Sequence, residues 1–295
     1  MTVPNNFCGL VKDFSSYENS KAVILPVPYD KTRTWCIGEE WKKTDASKGP
    51  AAIIDASRNM ELYDIELDKN IAEKLGIHTL DELKAKEYPK DMVKSVFNSV
   101  KKIIKDNKFP VVLGGEHSIS LGAVKALKEK YNDLSCLQID AHADLRDSYE
   151  GSKYSHACVM SRVRELCNNV VQVGIRSMSD EEADLINDKN IKIFFAKDIF
   201  NNDDWFDTAI SMLSSNVYVT FDLDGLDISV MPSTGTPEPG GLLYYQVLRF
   251  LKKVCEKKNI VGFDIVELAP IKGTIAPDFL AAKLVYKLIG YSLLK

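Results

Sequence analysis

Along this chain, short runs of apolar residues alternate with stretches whose apolar positions recur every three or four residues. Residues 21–27 (KAVILPV), 109–113 (FPVVL), Leu134–Ile139 (LSCLQI), 170–173, 191–195, 217–221 and 260–265 read as buried strands. Most are rich in Val and Ile and apolar on both faces, as strands covered from both sides are. The clearest helical pattern places Met92, Val93, Val96, Phe97, Val100, Ile103 and Ile104 on one face. Further helical patterns run over 121–130, 181–187, Tyr244–Lys257 and 278–294. Strand, helix, strand repeated in this way predicts an α/β protein, with a mainly parallel sheet and helices on both sides. No linker rich in Pro, Gly or Ser interrupts it, so residues 1–295 are expected to form one domain. Residues 29–49 are polar and aperiodic and read as a loop; loops of this length in compact domains are more often functional than idle.

In an open parallel sheet, ligands bind beyond the carboxyl ends of the strands. Gly-Gly-Glu-His-Ser follows the strand at 109–113, Asp-Ala-His-Ala-Asp follows Leu134–Ile139, Asp-Leu-Asp-Gly follows 217–221, and Val266-Glu267 follows 260–265. Asp140, His142 and Asp144 alternate, so an extended backbone projects them to one side, and Asp222 and Asp224 repeat the device. Carboxylates gathered and buried there without compensation would each cost several kcal/mol, which a bound cation removes. Four aspartates with His117 and His142 make six candidate ligands, more than one tetrahedral site needs. They suit two ions about 3.5–4 Å apart. Oxygen-rich coordination with some imidazole favours Mn²⁺ over a structural zinc. Each motif alone has a bland reading, a turn or a helix cap, but together they point to a metal site. His78 stands apart and reads as structural. His156, also outside the cluster, is either an ordinary residue at a helix start or a proton shuttle. Cys158 lies two residues beyond it, and positions i and i+2 of a helix face apart, so the pair makes a poor dyad.

Composition narrows the class. The chain has 38 basic and 42 acidic residues, a formal charge of −4, which argues against a nucleic-acid binder. No apolar run approaches the ~18 residues of a membrane span. The start lacks the marks of a signal peptide. The six cysteines are widely spaced, without a CxxC. A soluble cytoplasmic protein is expected.

The motifs carry a resemblance. Residues 114–118 (GGEHS), 140–144 (DAHAD), Ser155-His156, 221–227 (FDLDGLD), 234–241 (TGTPEPGG) and Glu267 resemble the ureohydrolase family of arginases and agmatinases, from about Tyr29 onward. Residues 173–177 (VGIRS) and 264–270 (DIVELAP) make the agmatinase branch the better match. The resemblance implies a three-layer α/β/α fold and a binuclear Mn²⁺ centre held by His117, Asp140, His142, Asp144, Asp222 and Asp224. It further implies Glu267 as the guanidinium-holding carboxylate and His156 as the proton shuttle, with Asp144 accepting the attacking water's proton. The expected reaction is hydrolysis of a linear guanidino compound to urea and an amine, in polyamine biosynthesis. Agmatine, giving putrescine, comes first; aminopropylagmatine, guanidinobutyrate and arginine follow. A cysteine-nucleophile amidinotransferase and a non-catalytic binding protein are the remote alternatives. Relatives of this kind are commonly trimers or hexamers, so a homo-oligomer is expected.

Where similar arginases carry Asn, to hold the amino-acid end of arginine, this chain has Arg146. It is expected to face away or to pair with Asp147 or Glu150. An acidic distal pocket from Asp147, Glu150 or the 29–49 loop would suit a second positive charge on the substrate. Residues 36–43 (CIGEEWKK) look like an insertion at the substrate entrance. Glu116 stands where many relatives have Asp and is not an expected ligand.

Overall fold

The computed structural model describes residues 3–33, 45–189 and 191–294. Ten strands occur among them: β1 (Ala22–Val27), β2 (Tyr63–Asp64), β3 (Lys69–Asn70), β4 (Ile77–Thr79), β5 (Phe109–Gly114), β6 (Leu134–Ile139), β7 (Val170–Ile175), β8 (Lys192–Phe195), β9 (Asn216–Asp222) and β10 (Asn259–Val266). β2 and β3 form a small hairpin, and the other eight make one sheet in the order β4-β1-β5-β10-β9-β6-β7-β8. Every pairing in that sheet is parallel. Its central strands are mostly apolar because both faces are covered, and the polar side chains they do carry, such as Gln138, Thr220 and Asp264, are buried and hydrogen-bonded. In β1, Ala22 and Ile24 enter one core while Val23, Leu25 and Val27 enter the other. The first core packs the helices Gly49–Ser57, Tyr244–Lys257 and Ala276–Leu293; the second packs Pro89–Lys105 and Ser120–Lys128. The result is the three-layer α/β/α arrangement expected.

The helix Pro89–Lys105 shows why the periodicity was readable. Proline opens it, Asp91 lies in its first turn and Lys102 and Lys105 in its last, matching the helix dipole. Met92, Val93, Val96, Val100, Ile103 and Ile104 are buried in one stripe, with Phe97 packed partly buried beside them. Strand ends extend a residue or two beyond the apolar runs, and β4 is too short to show a pattern of its own. Residues 36–43 lie outside the described residues. Among those described, no helix is long and apolar enough to cross a membrane.

The helices Pro89–Lys105 and Ser120–Lys128 touch at Gly122, where an added Cβ would sit 2.5 Å from the Val93 carbonyl oxygen and 2.7 Å from Val96 Cβ. Gly122→Ala is therefore expected to destabilise the protein by about 1–3 kcal/mol. A urea titration should show a lower midpoint at unchanged slope, and an unmoved midpoint would mean that the two helices separate freely.

Candidate metal centre and active-site cavity

The four strands at the middle of the sheet, β5, β10, β9 and β6, are neighbours, and each ends in a candidate residue. His117 follows β5, Glu267 follows β10, Asp222 ends β9 with Asp224 just beyond, and Asp140, His142 and Asp144 follow β6. The parallel register thus converts motifs scattered along the chain into a single cluster.

Two groups of ligand atoms form there, His117–Asp140–Asp144 and Asp140–His142–Asp224, each within 4.8 Å. Asp140 belongs to both. Its Oδ2 lies 3.0 Å from His117 Nδ1, and its Oδ1 lies 3.7 Å from His142 Nδ1. Asp144 Oδ2 and Asp222 Oδ2 are 3.1 and 3.3 Å from His117 Nδ1, and Asp224 Oδ2 is 2.9 Å from His142 Nδ1. The structure brings all six expected ligands together.

The hydrogen bonding around them fits cations. The Thr220 hydroxyl donates to Asp264 at 2.7 Å and so accepts from His117 Nε2–H at 2.8 Å. That leaves Nδ1 of His117 with its lone pair, buried and without a hydrogen-bond partner although three carboxylate oxygens face it. A lone pair aimed at anionic oxygens is stable only with positive charge between them. Asp222 Oδ1 accepts from Asp224 N–H at 2.9 Å, and Asp224 Oδ1 from Ala141 N–H at 3.0 Å. One oxygen of each is thereby anchored, and the other is turned inward.

Without metal, protons take up the role of counter-charge. Burial and the neighbouring Asp224 and Asp144 push Asp140 up to about 7, and burial with Asp224 and Asp140 raises Asp222 well above the carboxylate range. Burial opposes a charge on His142, yet Asp224 and Asp140 carry that imidazole to about 11. Asp224 in turn is held down at about 2 by His142 against the effect of burial.

Backbone strain and the half-buried Arg176 guanidinium mark the surrounding loops. Asp144 has φ 54° and Glu267 φ 64°, left-handed values rare outside glycine. Glu267 is pinned by its N–H to the Gly115 carbonyl at 2.8 Å and by Oε1, which accepts His117 N–H at 2.7 Å. Arg176 donates to the carbonyls of Gly174, Asp224, Leu226, Glu238 and Pro239, tying the β9 loop to the 238–239 segment. Sequence reading noted Arg176 only as part of a motif; its clamp depends on carbonyls that no side-chain pattern reveals.

The His/Asp cluster forms part of the wall of a cavity of about 240 Å³ that Glu267, His156, Asp30, Arg146, Tyr149 and Glu182 also line. Burial lowers the His156 imidazole below its usual value, against the pull of Asp144. Two expected substrate contacts fall elsewhere. Asp147 is 70% exposed and pairs with Arg162 at 2.7 Å and Lys153 at 3.0 Å, and Glu150 is exposed in the adjoining turn. Neither lines the cavity. Arg146 faces neither of them: its Nε lies 4.0 Å from Glu182, and its guanidinium covers the Tyr149 ring at 5.1 Å. Besides Glu267, the acids that line the cavity next to the His/Asp cluster are instead Asp30, from the expected loop, and Glu182. The latter caps its helix through Ser179 and accepts Leu145 N–H, so its sequence signal was that of an ordinary capping box. His78 is structural as expected, with Nδ1 2.8 Å from the Ser15 carbonyl. Cys158 is buried, its thiol pushed up to about 11 by burial and by Asp144, which suits no nucleophile.

Residues 20–290 match the model of the arginase family. The chain belongs to that family. It is thus a ureohydrolase, a hydrolase of C–N bonds in linear amidines, acting on a guanidino compound. An N(1)-aminopropylagmatine ureohydrolase of Synechocystis is 40% identical over 99% of this chain and 97% of its own length. An agmatinase of Pyrococcus horikoshii is 36% identical over 92% and 91%. Among solved structures, the agmatine ureohydrolase of Thermoplasma volcanium superposes with a TM-score of 0.86 at 32% identity, covering 99% of this chain and 95% of that one.

His117→Ala and Asp144→Ala are expected to lose bound metal and urea release together. His156→Ala should keep its metal, counted by elemental analysis, while turning over far more slowly; unchanged turnover would remove its assigned role. Adding Mn²⁺ should raise the melting temperature of the parent protein, because a ligand held only by the native state stabilises it. The same addition should leave His117→Ala unmoved.

Proposed function

We propose that this chain binds two Mn²⁺ ions through His117, Asp140, His142, Asp144, Asp222 and Asp224 and hydrolyses a linear guanidino amine, N(1)-aminopropylagmatine ahead of agmatine. The observation that carries the metal assignment is the pair of His/Asp groups sharing Asp140, with the unpartnered Nδ1 of His117 between its carboxylates. Two features support a polyamine substrate. Relatives from Synechocystis and Thermus thermophilus, at 40% and 38% identity, bear the name N(1)-aminopropylagmatine ureohydrolase. Asp30 and Glu182, with Arg33 and Arg146, also line the cavity beside the cluster and offer carboxylates to a chain of ammonium groups extending from it. Agmatine remains the second reading, favoured by relatives named agmatinase. Action in cytoplasmic polyamine synthesis, as a homo-oligomer, belongs to the same proposal.

Bound divalent ions would supply water acidified enough to act as a nucleophile near neutral pH. Glu267 holds the planar guanidinium so that its central carbon is presented to the attacking water. Asp144 accepts the proton that this water gives up. As the C–N bond breaks, its electron pair stays on the departing nitrogen, and His156 passes there a proton that its ring has first taken up from the water through Asp144. Urea and a protonated amine result.

The test is urea release from Mn²⁺-loaded protein offered aminopropylagmatine, agmatine, arginine and guanidinobutyrate in parallel, with an EDTA control. Chelator-sensitive turnover that is fastest with aminopropylagmatine is expected. Preference for agmatine would favour the second reading, and preference for a carboxylate-bearing substrate would sink both. Alkylating the thiols should leave turnover intact; its loss would revive a cysteine mechanism.

A further inference from the structure

We infer that Thr32 is a positioning residue for His156, its hydroxyl clamped on Glu116 so that the imidazole carries its proton on Nδ1 and keeps Nε2 as the nitrogen that handles the transferred proton. The inference rests on the reading of His156 as the proton carrier and adds what sets its tautomer.

The geometry is a chain of four side chains. Glu116 is buried, and its carboxylate takes Thr32 through both donors: Oε2 accepts Thr32 N–H at 2.6 Å and Oε1 accepts the Thr32 hydroxyl at 2.7 Å. Ser118 Oγ donates to the same Oε1 at 2.5 Å. Because the Thr32 proton points at Glu116, its oxygen has only lone pairs left for its other neighbours. Those neighbours are both in His156. Its backbone N–H lies 3.0 Å from Thr32 Oγ1, and its ring Nδ1 lies 3.1 Å away. The hydroxyl oxygen therefore accepts twice, and the nitrogen facing it must be the protonated one. Ser155 Oγ is a longer neighbour of Nδ1, at 3.4 Å, and Tyr149 stands edge-on to the ring with centroids 6.1 Å apart. No partner occupies Nε2 among the described residues, and the ring lines the cavity. A carboxylate two groups removed thus selects the tautomer, as outer hydrogen bonds commonly do for working histidines.

The sequence gives the experiment a convenient size, since the chain has only four histidines. Metal-free protein labelled with ¹⁵N-histidine would be examined by long-range ¹H–¹⁵N correlation, with His156→Gln identifying the signal. The expected result is a protonated Nδ1 and an unprotonated Nε2 on neutral His156. The opposite tautomer in the parent protein would overturn the inference, whatever the variants do. Thr32→Val should shift the ring toward a mixture of tautomers and lower kcat about tenfold to a hundredfold, within the ~10²–10⁴ that acid–base catalysis contributes. KM and metal content should stay near the parent values. Thr32→Ser, which restores the hydroxyl, should recover both the tautomer and kcat. A Thr32→Val protein with the parent's kcat and a fixed Nδ1–H would equally overturn it. Failure of the underlying reading looks different: His156→Ala would then turn over like the parent, with the tautomer result untouched.

Discussion

Four aspartates packed at the middle of a sheet edge, three of them under 5% exposed and Asp144 at 7%, cannot stand without positive charge. That electrostatic demand governs the rest of the site. Asp222 and Asp224 each have one oxygen tied to a backbone amide, so neither carboxylate can swing away toward solvent. Thr220 and Asp264 orient His117, which turns a potential donor into a lone pair. The left-handed backbone at Asp144 and Glu267 is held by Met160 and Ser161 N–H on the Asp144 carbonyl and by Glu267 N–H on the Gly115 carbonyl, and would be hard to sustain in an isolated loop. A fold able to tolerate this much concentrated charge needs a rigid, fully covered sheet around it, and the two apolar cores provide one.

Much of this was legible in the sequence, for identifiable reasons. Val- and Ile-rich runs marked the central strands because burial on both faces leaves few polar positions, Gln138, Thr220 and Asp264 among them. The alternation of Asp140, His142 and Asp144 was informative because strand geometry forces such residues to one side. What escaped notice had a different physical basis. β4 is three residues long, too short for a period, and rests on pairing with β1. Arg176 works through five carbonyls that no residue pattern exposes. Asp147 and Glu150 looked like plausible cavity acids from proximity to the motif, yet the turn of chain after Asp144 carries them to the surface, while Glu182 arrives from the helix Asp180–Lys189. Thr32 lay in a loop without periodicity, and Glu116 was passed over as a non-ligand; only the fold puts them beside His156.

The cavity also shows how charge can be placed without leaving it bare. Asp30 accepts from Arg33 at 2.8 Å and from Ala46 N–H at 2.9 Å, and Glu182 accepts three hydrogen bonds with Arg146 nearby. Each acid is thus balanced by an arginine of the same cavity and held too firmly to collapse onto the ligand cluster. A cationic substrate would meet walls already set in position, so little ordering free energy is lost on binding.

The strand order has a consequence in time as well as in space. β5 and β6 are nearly consecutive in the chain, yet β10 and β9 lie between them in the sheet. During synthesis from the N-terminus, β5, β6 and β7 emerge while the slot between the first two is still missing its occupants. Asp222, Asp224 and Glu267 arrive only with those last strands, and Glu267 lies 150 residues beyond the His117 amide it receives. A growing or truncated chain that stops short of β9 holds four of its six ligands and an incomplete sheet, so the full ligand set and catalytic competence belong to the chain that includes β9 and β10.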